Sequence, residues 1–510
     1  MKLVDAIQIR DLDNKCIDNY KINGLLLMEH AALSVYQYII DNIDVNKKII
    51  LLVGPGNNGG DALALARLLY CYDKHKFEVV MLCGYDALSN FSKQYYDICS
   101  NLKIDINRNL SSKELFDLLN RSDVIVDAIF GTGLNKNVEG KYLDAIEVVN
   151  HLDKLVISID IPSGINATTG AVMNKAIKAD VTITFALAKL GLYLYPGIEY
   201  SNKVIISKIG IPKEAINECS SNTILLNKDV AKTLLPNRYL RSNKGTYGKV
   251  LIIGGSKSMS GALCMSALSC IKSGAGTTTV ALPKCIHEIV ATNVLEGMEI
   301  PLEDDGNYIS ATGITNVLSI IDIYDIIAVG PGLGREDIND KLIKELLLSD
   351  KPLVIDADGI YALKNNLELL NNRDNDTIIT PHPGEFAYLL DISIKELLKN
   401  PIQYVNEFVN KYDVTLVLKL ERSIIANKKI TYLNTTGNNG LSKGGSGDVL
   451  TGIITALFAQ SLKCIESAAL GVYLHGLIAD VLLDEFTVYA ITPTELIKNI
   501  NRGFKELNES

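Results

Sequence analysis

The chain has 510 residues, of which 47% are hydrophobic and 21% charged, a composition typical of globular proteins with more than one compact core. Its formal net charge of −9 argues against nucleic-acid binding, because a phosphate backbone requires a basic face. The N-terminus lacks the apolar core of a signal peptide, and apolar runs such as 449–462 are too short and too interrupted to span a bilayer, so we expect a cytoplasmic protein with no membrane partner.

The nine cysteines include no C-x-x-C pair. Their odd number and apolar surroundings favour reduced, buried thiols over a disulfide or zinc framework.

The first part of the chain alternates strand-sized apolar runs with helical patterns, which predicts βαβ units and a mostly parallel sheet. The predicted strands are 48–53, 78–83, 124–130, 155–161, 181–186 and 203–206. Glycine-containing turns at 54–60, 131–133 and 162–164 follow three of them. We therefore expect the ligand site at the carboxyl edge of this sheet.

The periodicity fades over 211–240, where we place a boundary near residue 225 between a domain at 1–220 and another at 226–510. The second part is again α/β. Its predicted strands are 249–253, 277–282, 326–329, 353–355, 377–379 and 414–419.

The first glycine-rich turn has the Gly54-x-Gly56-x-x-Gly59 spacing of a dinucleotide-binding loop. A nicotinamide-binding unit also needs an acidic residue about 20 positions on, at the end of the next strand. Asp86 comes too late for that role, whereas the turn carries amides and an acid of its own at 57–61. This pattern argues against an ordinary NAD-dependent oxidoreductase.

Three acids, Asp61, Asp127 and Asp160, lie at strand ends or in the turn, together with Asn58 and Ser163. Carboxylate, amide and hydroxyl oxygens at one sheet edge suit a hard cation or acid–base chemistry. The alternative is that each Asp only caps the following helix.

The segments NNGGD (57–61), DAIFGTG (127–133) and DIPSG (160–164), with Phe185-x-x-x-Lys189-x-Gly191, resemble the NAD(P)H-hydrate epimerase family over residues 1–215. The resemblance implies a Rossmann-like three-layer sandwich. It implies a potassium ion held by Asn58, Asp127 and Ser163, and acid–base chemistry by Asp160, with Asp127 and Lys189 as alternatives. The implied substrate contacts are Asn57, Asn58, Gly59, Gly60, Asp61, Gly131, Thr132, Gly133, Leu134, Asn135, Lys136, Asn137, Tyr142 and Asp160.

In the second part, Gly444-Gly445-Ser446-Gly447-Asp448 opens a predicted helix over 449–459. Backbone amides at a helix N-terminus bind phosphate, and a carboxylate beside them can take a proton from an attacking hydroxyl. The alternative is that Asp448 only caps the helix.

This arrangement resembles the ribokinase superfamily. The motifs GPGLG (330–334), DADG (356–359) and TPHPGE (380–385) narrow the resemblance to the NAD(P)H-hydrate dehydratase family over residues 228–505. It implies a ribokinase-like α/β domain with Asp448 as the catalytic base. The implied substrate contacts are Ala262, Gly332, Gly334, His382 and Asp448, and the implied nucleotide contacts are Lys419, Leu420, Glu421, Arg422, Ser423, Asn434 and Gly447.

One departure falls in the nucleotide segment, where Leu420 follows Lys419 in place of the family's glycine. Leucine disfavours positive φ and a close approach of the backbone, so we expect a different loop path or an altered nucleotide affinity.

Together the two resemblances imply an enzyme that repairs hydrated NADH and NADPH. It would interconvert the R and S epimers and dehydrate the S epimer while ADP is hydrolysed to AMP and phosphate, with potassium in the first domain and magnesium with ADP in the second. ATP would be the alternative donor, and a homo-oligomer is expected. Two other functions stay open: a small-molecule kinase, which accounts only for the second part, and a nucleotide sensor with one decayed domain.

Overall fold

A computed structural model describes residues 1–72, 74–373 and 375–508 of the chain. The chain forms two compact units: Lys2–Asn222, and a second that comprises Met1 and the chain from Thr223 onward. They are called the N-terminal and C-terminal units below.

The N-terminal unit is built from strands and helices that alternate along most of its length. The strands are β1 (Lys2–Val4), β2 (Lys48–Val53), β3 (Lys76–Met81), β4 (Ile106–Arg108), β5 (Val124–Ala128), β6 (Leu155–Ile159), β7 (Val181–Phe185), β8 (Ala188–Lys189) and β9 (Lys203–Ser207). The helices are α1 (Ala6–Asp18), α2 (Gly24–Asn42), α3 (Asn57–Tyr72), α4 (Asn90–Asn101), α5 (Ser112–Asn120), α6 (Lys141–His151), α7 (Ile198–Ser201) and α8 (Lys213–Asn217).

Seven of these strands form a parallel sheet in the order β4-β3-β2-β5-β6-β7-β9, and β1 and β8 form a short parallel pair. The strand order reverses between β2 and β5. In open parallel sheets such a reversal leaves a crevice at the carboxyl ends of the two strands.

Alternate residues of β2 face opposite layers of helices. Ile49, Leu51 and Val53 join the apolar cluster that includes residues of α1 to α4. Ile50 and Leu52 join the cluster that includes residues of α5 and α6. Because both faces are covered, β2 is a continuous apolar run rather than an alternating one.

The C-terminal unit is also α/β. Its strands are β10 (Thr223–Leu226), β11 (Lys249–Ile253), β12 (Thr277–Pro283), β13 (Met298–Leu302), β14 (Ile326–Val329), β15 (Leu353–Ile355), β16 (Thr377–Ile379), β17 (Thr415–Leu418), β18 (Ile424–Ala426) and β19 (Thr431–Asn434). Its helices are α9 (Lys228–Thr233), α10 (Ser260–Lys272), α11 (His287–Asn293), α12 (Ala311–Leu318), α13 (Ile338–Leu348), α14 (Asp358–Leu363), α15 (Pro383–Leu390), α16 (Ile394–Leu397), α17 (Pro401–Lys411), α18 (Ser446–Ala459), α19 (Cys464–Val481), α20 (Pro493–Lys498) and α21 (Ile500–Asn508).

These strands pair in the order β13-β12-β11-β14-β15-β16-β17-β18-β19-β10. All pairs are parallel except β17–β18 and β18–β19. The order reverses between β11 and β14, so a second crevice is expected at the carboxyl ends of those strands.

Helix α19 and the turn after it, Cys464–Asp484, are long and apolar enough to cross a membrane by length and composition. However, 78% of their most apolar 18-residue stretch is buried within the protein. The sequence analysis overlooked this helix, since polar residues such as His475 interrupt its apolar run. Its buried residues join α18 and α21 in one apolar cluster, as expected of a core helix.

The nine cysteines are all free thiols. Cys71 and Cys285 are exposed and Cys219 is half-buried, whereas the others are buried. The prediction of reduced thiols agrees with these positions, but the expectation that they are buried is wrong for the two exposed residues.

Candidate active sites

A cavity of about 600 Å³ lies in the N-terminal unit where the segments after β2 and β5 face each other. Many of the expected substrate residues line it: Asn57, Asn58, Asp61, Gly131, Thr132, Gly133, Leu134, Asn135, Lys136 and Asp160. Gly59, Gly60, Asn137 and Tyr142 do not belong to the lining. The ring of Tyr142 packs on Phe130, with 5.0 Å between centroids, in the cluster under α6.

The NNGGD segment forms the first turns of α3 rather than a loop. A side chain at Gly54 would overlap the carbonyl of Ile129, and one at Gly59 would overlap the carbonyl of Gly54. Gly56 has φ +83° and open space around it. Two of the three glycines in the dinucleotide-like spacing are therefore required by tight backbone packing.

Asn58 is buried, and within the described residues neither polar atom of its side chain has a hydrogen-bond partner. It lies against Gly131, where any side chain would press on it. The preceding residue, Phe130, donates its backbone N–H to Ser163 Oγ at 2.8 Å. Ser163 in turn donates to Asp127 through Oγ at 2.5 Å and through its backbone N–H at 2.9 Å.

Asp127 is fully buried at the end of β5, and burial raises its pKa, although hydrogen bonds from Ser163 and Ser158 oppose the rise. The segment after β5 contacts the side chains of Asn58 and Ser163, and Ser163 bonds to Asp127. An amide oxygen, a hydroxyl and a carboxylate therefore lie around this one segment. The donor set fits a hard cation, whose ligands are oxygens of these kinds. No group of three or more His, Cys, Asp and Glu side chains that could hold a metal occurs in the described residues.

Asp160 follows β6 in the left-handed region, with φ +68°, and lines the cavity. Its Oδ1 forms an ion pair with Lys189, and the same oxygen accepts hydrogen bonds from Thr184 Oγ1 at 3.2 Å and Phe185 N at 3.3 Å. The Lys189 side chain is only 1% exposed and also donates to the carbonyl of Phe185 at 3.1 Å. These contacts all use Oδ1 and fix the orientation of the Asp160 carboxylate.

The sequence analysis missed several residues that line this cavity, among them an acid. Asp13 on α1 lines the same cavity, and burial raises its pKa to about 6. Burial also raises the pKa of Asp61 well above its ordinary value. The signal for Asp13 was its position one turn after buried Ile9 and three residues before buried Cys16, where an apolar residue would be typical.

In the C-terminal unit, helix α18 begins at Ser446, three residues earlier than expected. Gly445 precedes it in the left-handed conformation, with φ +93°. The first intrahelical bond of α18 is donated by Val449 to the carbonyl of Gly445 at 3.2 Å. The amides of Gly447 and Asp448 therefore lie in the first turn, where backbone donors have no intrahelical acceptor.

Asp448 belongs to a cluster of charges with Lys419, Asp356 and Glu385. Burial raises its pKa to about 7, helped by Asp356 and opposed by Lys419. Lys419 donates to Asp356 Oδ1 at 2.8 Å, and Thr451 donates to Asp356 Oδ2 at 2.5 Å. Because Lys419 holds the pKa of buried Asp356 below its ordinary value, Asp356 is the ionised partner and Asp448 exchanges its proton near neutral pH.

The segments after β11 and β14 meet as the topology requires. A side chain on Gly332, which has φ +64°, would overlap the carbonyl of Met259 and approach Ala262. Gly334 lies against Tyr308 and donates its N–H to Asp358 at 2.9 Å. The expected substrate residues Ala262 and Gly332 are thus neighbours, whereas Asp358 is engaged in holding the loop.

His382 caps helix α15. Its Nδ1 accepts from the N–H groups of Gly384 at 2.9 Å and Glu385 at 3.2 Å, while Glu385 Oε2 accepts from His382 N at 2.8 Å. Burial and Lys419 lower the pKa of His382, so its ring is neutral, and half of the side chain remains exposed. Burial raises the pKa of Glu385 to about 7.

The segment 419–423 avoids the strain expected at Leu420. Leu420 is not among the described non-glycine residues with positive φ. Its N–H donates to Ser423 Oγ at 3.4 Å, and Arg422 donates to the carbonyl of Thr435. The amide of Asn434 is buried and donates to the carbonyl of Thr436 at 2.8 Å, which closes the neighbouring turn. The loop therefore follows a path compatible with leucine.

Another residue missed in the sequence analysis is His475 on α19. Its Nε2 lies 3.2 Å from Ser446 Oγ, and both residues are buried. Burial lowers the pKa of His475 to about 4, so the ring is neutral. The contact fixes the start of α18 to the core helix behind it.

Comparison with known proteins matches each of the two units to a protein family. The family described as YjeF-related protein N-terminus matches residues 24–191, and the family described as NAD(P)H-hydrate dehydratase matches residues 250–502. A bifunctional NAD(P)H-hydrate repair enzyme Nnr from Dictyoglomus turgidum is 34% identical over 99% of both chains. The enzyme of the same name from Thermofilum pendens is 34% identical, over 100% of this chain and 97% of its own.

The C-terminal unit also has solved counterparts. An ADP/ATP-dependent NAD(P)H-hydrate dehydratase from Bacillus subtilis, co-crystallised with ATP and Mg²⁺, is 28% identical with a TM-score of 0.50, over 56% of this chain and 99% of its own. A ribokinase-like superfamily protein from Enterococcus faecalis is 29% identical with a TM-score of 0.50, over 56% of this chain and 96% of its own. The predicted fold class, a Rossmann-like sandwich followed by a ribokinase-like α/β domain, is confirmed. The chain belongs to the family of bifunctional NAD(P)H-hydrate repair enzymes.

Proposed function

We propose that the chain interconverts the R and S hydrates of NADH and NADPH and dehydrates the S epimer at the expense of ADP, which restores the reduced nucleotide. Residues 1–220 would carry the epimerase activity and residues 226–510 the dehydratase activity. The observation that carries the proposal is Asp448, a half-buried carboxyl with a pKa of about 7 beside the first-turn amides of α18. The full-length similarity to repair enzymes supports both halves.

In the dehydratase site, Asp448 accepts the proton of the C6 hydroxyl, whose oxygen attacks the terminal phosphorus of ADP and displaces AMP. The amides of Gly447 and Asp448 stabilise the charge that develops on the phosphoryl oxygens. The C6–O bond of the phosphorylated hydrate then breaks as the N1 lone pair forms a double bond to C6, and loss of a C5 proton restores the ring. A base whose pKa lies near the working pH suits the first step.

Magnesium would enter this site with the nucleotide, since Mg²⁺ is usually held by one or two carboxylates together with substrate phosphates. It would supply positive charge at the phosphoryl oxygens. ADP is the expected donor and ATP the alternative. Lys419, Leu420, Glu421, Arg422, Ser423, Asn434 and Gly447 would contact the nucleotide, with Asn434 acting through the turn that it closes.

In the N-terminal cavity, Asp160 Oδ2, which accepts no hydrogen bond from the described residues, would accept the proton of the C6 hydroxyl and so open the hydrated ring. Lys189 orients that carboxylate through its ion pair with Oδ1. Potassium would be held by Asn58, Asp127 and Ser163, because the unpaired Asn58 side chain leaves an oxygen for a cation. The ion would supply fixed positive charge beside the substrate. We also propose a homo-oligomer in the cytoplasm.

The recovery of absorbance at 340 nm tests the proposal on a mixture of NADH-hydrate epimers with Mg²⁺ and either ADP or ATP. Complete recovery is expected. Recovery that stops at the S fraction would contradict the epimerase half. A stable phosphorylated product would instead indicate a small-molecule kinase, and no turnover with either nucleotide would indicate a sensor.

A further inference from the structure

Helix α1 directs one face into the N-terminal cavity. Ile9, Arg10, Asp13 and Ile17 line the cavity, and their spacing of three to four residues places Ile9, Asp13 and Ile17 on one side of the helix. An acidic side chain in this otherwise apolar stripe costs desolvation free energy and is uncommon without a partner.

Asp13 has no such partner. Among the described residues, no hydrogen bond or ion pair reaches its carboxyl group, although Lys189 and Asp160 lie close enough to act on it electrostatically. Asp61 and Arg10 face the same cavity. Directly after α8, which packs against α1, the acid Glu218 pairs with Lys15.

The cavity therefore holds two kinds of carboxyl group. Asp160 is ion-paired, with one oxygen bonded to Lys189. Asp13 is half-buried, unpaired and subject to the negative charge of Asp160. Opening the ring of a hydrated nicotinamide at C6 and closing it again requires two groups: a base for the hydroxyl proton and an acid for the ring nitrogen.

We propose that Asp13 is a catalytic residue of the epimerase, the acid that protonates N1 of the hydrate as the ring opens; this rests on the epimerase function proposed above. Asp160 takes the C6 hydroxyl proton, the C6–N1 bond breaks, its electron pair goes to N1, and N1 takes the proton of Asp13. The product is an open-chain C6 aldehyde.

Rotation about the C5–C6 bond then presents the other face of the carbonyl to N1. The ring closes, the N1 proton returns to Asp13, and the proton on Asp160 goes to the new hydroxyl oxygen. No co-reactant is consumed, and both carboxyl groups end in their starting states. The pKa of Asp13, about 6, suits a group that gives and regains a proton. Asp61 also lines the cavity, and burial raises its pKa well above its ordinary value.

The test uses the full-length chain and the variants D13N, D13E and D11N, with conversion of the R to the S hydrate followed by chromatography without nucleotide. D13N is expected to lower the epimerase kcat by about 10²-fold. It should also abolish the fall in activity that the wild type shows as pH rises through about 6, the pKa of Asp13. D13E should retain that fall. D11N, at an exposed position on the same helix, should match the wild type.

Dehydration of the pure S hydrate with ADP serves as the internal control and should be unchanged in every variant. A D13N enzyme within threefold of the wild type, with the same pH profile, would overturn the role of Asp13. If D13N loses both activities it has misfolded, and the pH profile of D13E then decides: a profile without the alkaline fall overturns the proposal. A wild type that dehydrates but never epimerises would refute the epimerase function itself.

Discussion

Asp448 illustrates how the surroundings of a single residue set both activity and stability. Its pKa rises from an ordinary 3.8 to about 7 in the folded chain, chiefly through burial. The folded state therefore holds a proton that the unfolded chain releases over this range, so the contribution of Asp448 to stability falls as pH rises through 7. Above that pH the ionised side chain weakens the fold.

We expect D448N to lower dehydratase kcat by about 10²-fold or more. The melting temperature at pH 8 should rise by about 2 °C or more, because the amide carries no charge to desolvate. At pH 4 the two proteins should melt together, since Asp448 is then protonated in the folded wild type. Calorimetry at both pH values measures the effect, and a D448N protein that is less stable than the wild type at pH 8 would contradict it.

Asn58 makes potassium binding testable through stability. Its two buried polar atoms lack partners among the described residues, which is costly unless an ion completes the site. We expect the wild type to melt at a higher temperature in KCl than in tetramethylammonium chloride at equal ionic strength. N58A should lose that difference, whereas D11N should keep it. Equal melting of the wild type in both salts would argue against the ion.

At this scale the sequence was informative where a side chain belongs to a motif and uninformative where it does not. Asp160 and Asp448 stand in short motifs, and the structure places both beside buried cations, Lys189 and Lys419. Asp13 could not be assigned, because its role depends on the packing of α1 against the cavity. The same holds for His475, which contacts a residue 29 positions earlier.

At the scale of elements, the turn between β2 and α3 contains glycines required for two different reasons, close backbone packing and a positive φ. A Cβ atom at Gly54 would overlap the carbonyl of Ile129, whereas at Gly56 space is open and only the positive φ opposes a side chain. G56A should cost about 1 kcal/mol in the free energy of unfolding. G54A should cost several times more, because strand and loop must separate. Urea unfolding compares the two, and equal losses would refute the packing argument.

The junction of α18 and α19 gives a second prediction at this scale. His475 and Ser446 satisfy each other inside the core, so removing either leaves a buried polar group unpaired. We expect H475A and S446A each to raise the KM for the nucleotide. In a double-mutant cycle their effects should be non-additive by about 0.5 kcal/mol or more. Strictly additive effects would show that the contact does not hold the first turn of α18.

Strands followed directly by a glycine- or proline-containing motif were the easiest to locate. Such a motif follows β2, β11, β14, β15 and β16, whose bounds agree with the prediction. The strands β1, β4, β8, β10, β13, β18 and β19 were missed; each has only two to five residues, which carry little periodicity. The start of α18 was placed too late because glycines in its first turn read as loop.

At the scale of the whole molecule, the proposed function gives each unit one reaction on a shared substrate, and we expect that substrate to pass between sites by diffusion. D448N should still epimerise, and D160N should still dehydrate the S hydrate. A mixture of the two variants should then restore complete recovery of absorbance at 340 nm from mixed epimers. Recovery by the mixture that stops at the S fraction, as for D160N alone, would mean that the substrate does not pass between separate chains.

The two-domain architecture was predictable because each half repeats the strand–helix alternation and carries its own motifs. The strand order, with one reversal in each sheet, was not, since it depends on long-range pairing between residues far apart in sequence. Those reversals determine which loops face each other. They explain why residues after β2 and β5 share one cavity.

The packing role of Gly54 and Gly59 predicts how the sequence would change in a relative that had lost the epimerase activity. A copy of the gene released from selection for epimerase activity would still be selected to keep both glycines, because a side chain at either position would overlap a backbone carbonyl and destabilise the fold. Asn58 and Asp61, which are costly to bury, would be free to drift toward apolar residues. Decayed relatives should therefore retain the glycine spacing while losing its polar residues, and the spacing alone would identify ancestry rather than activity.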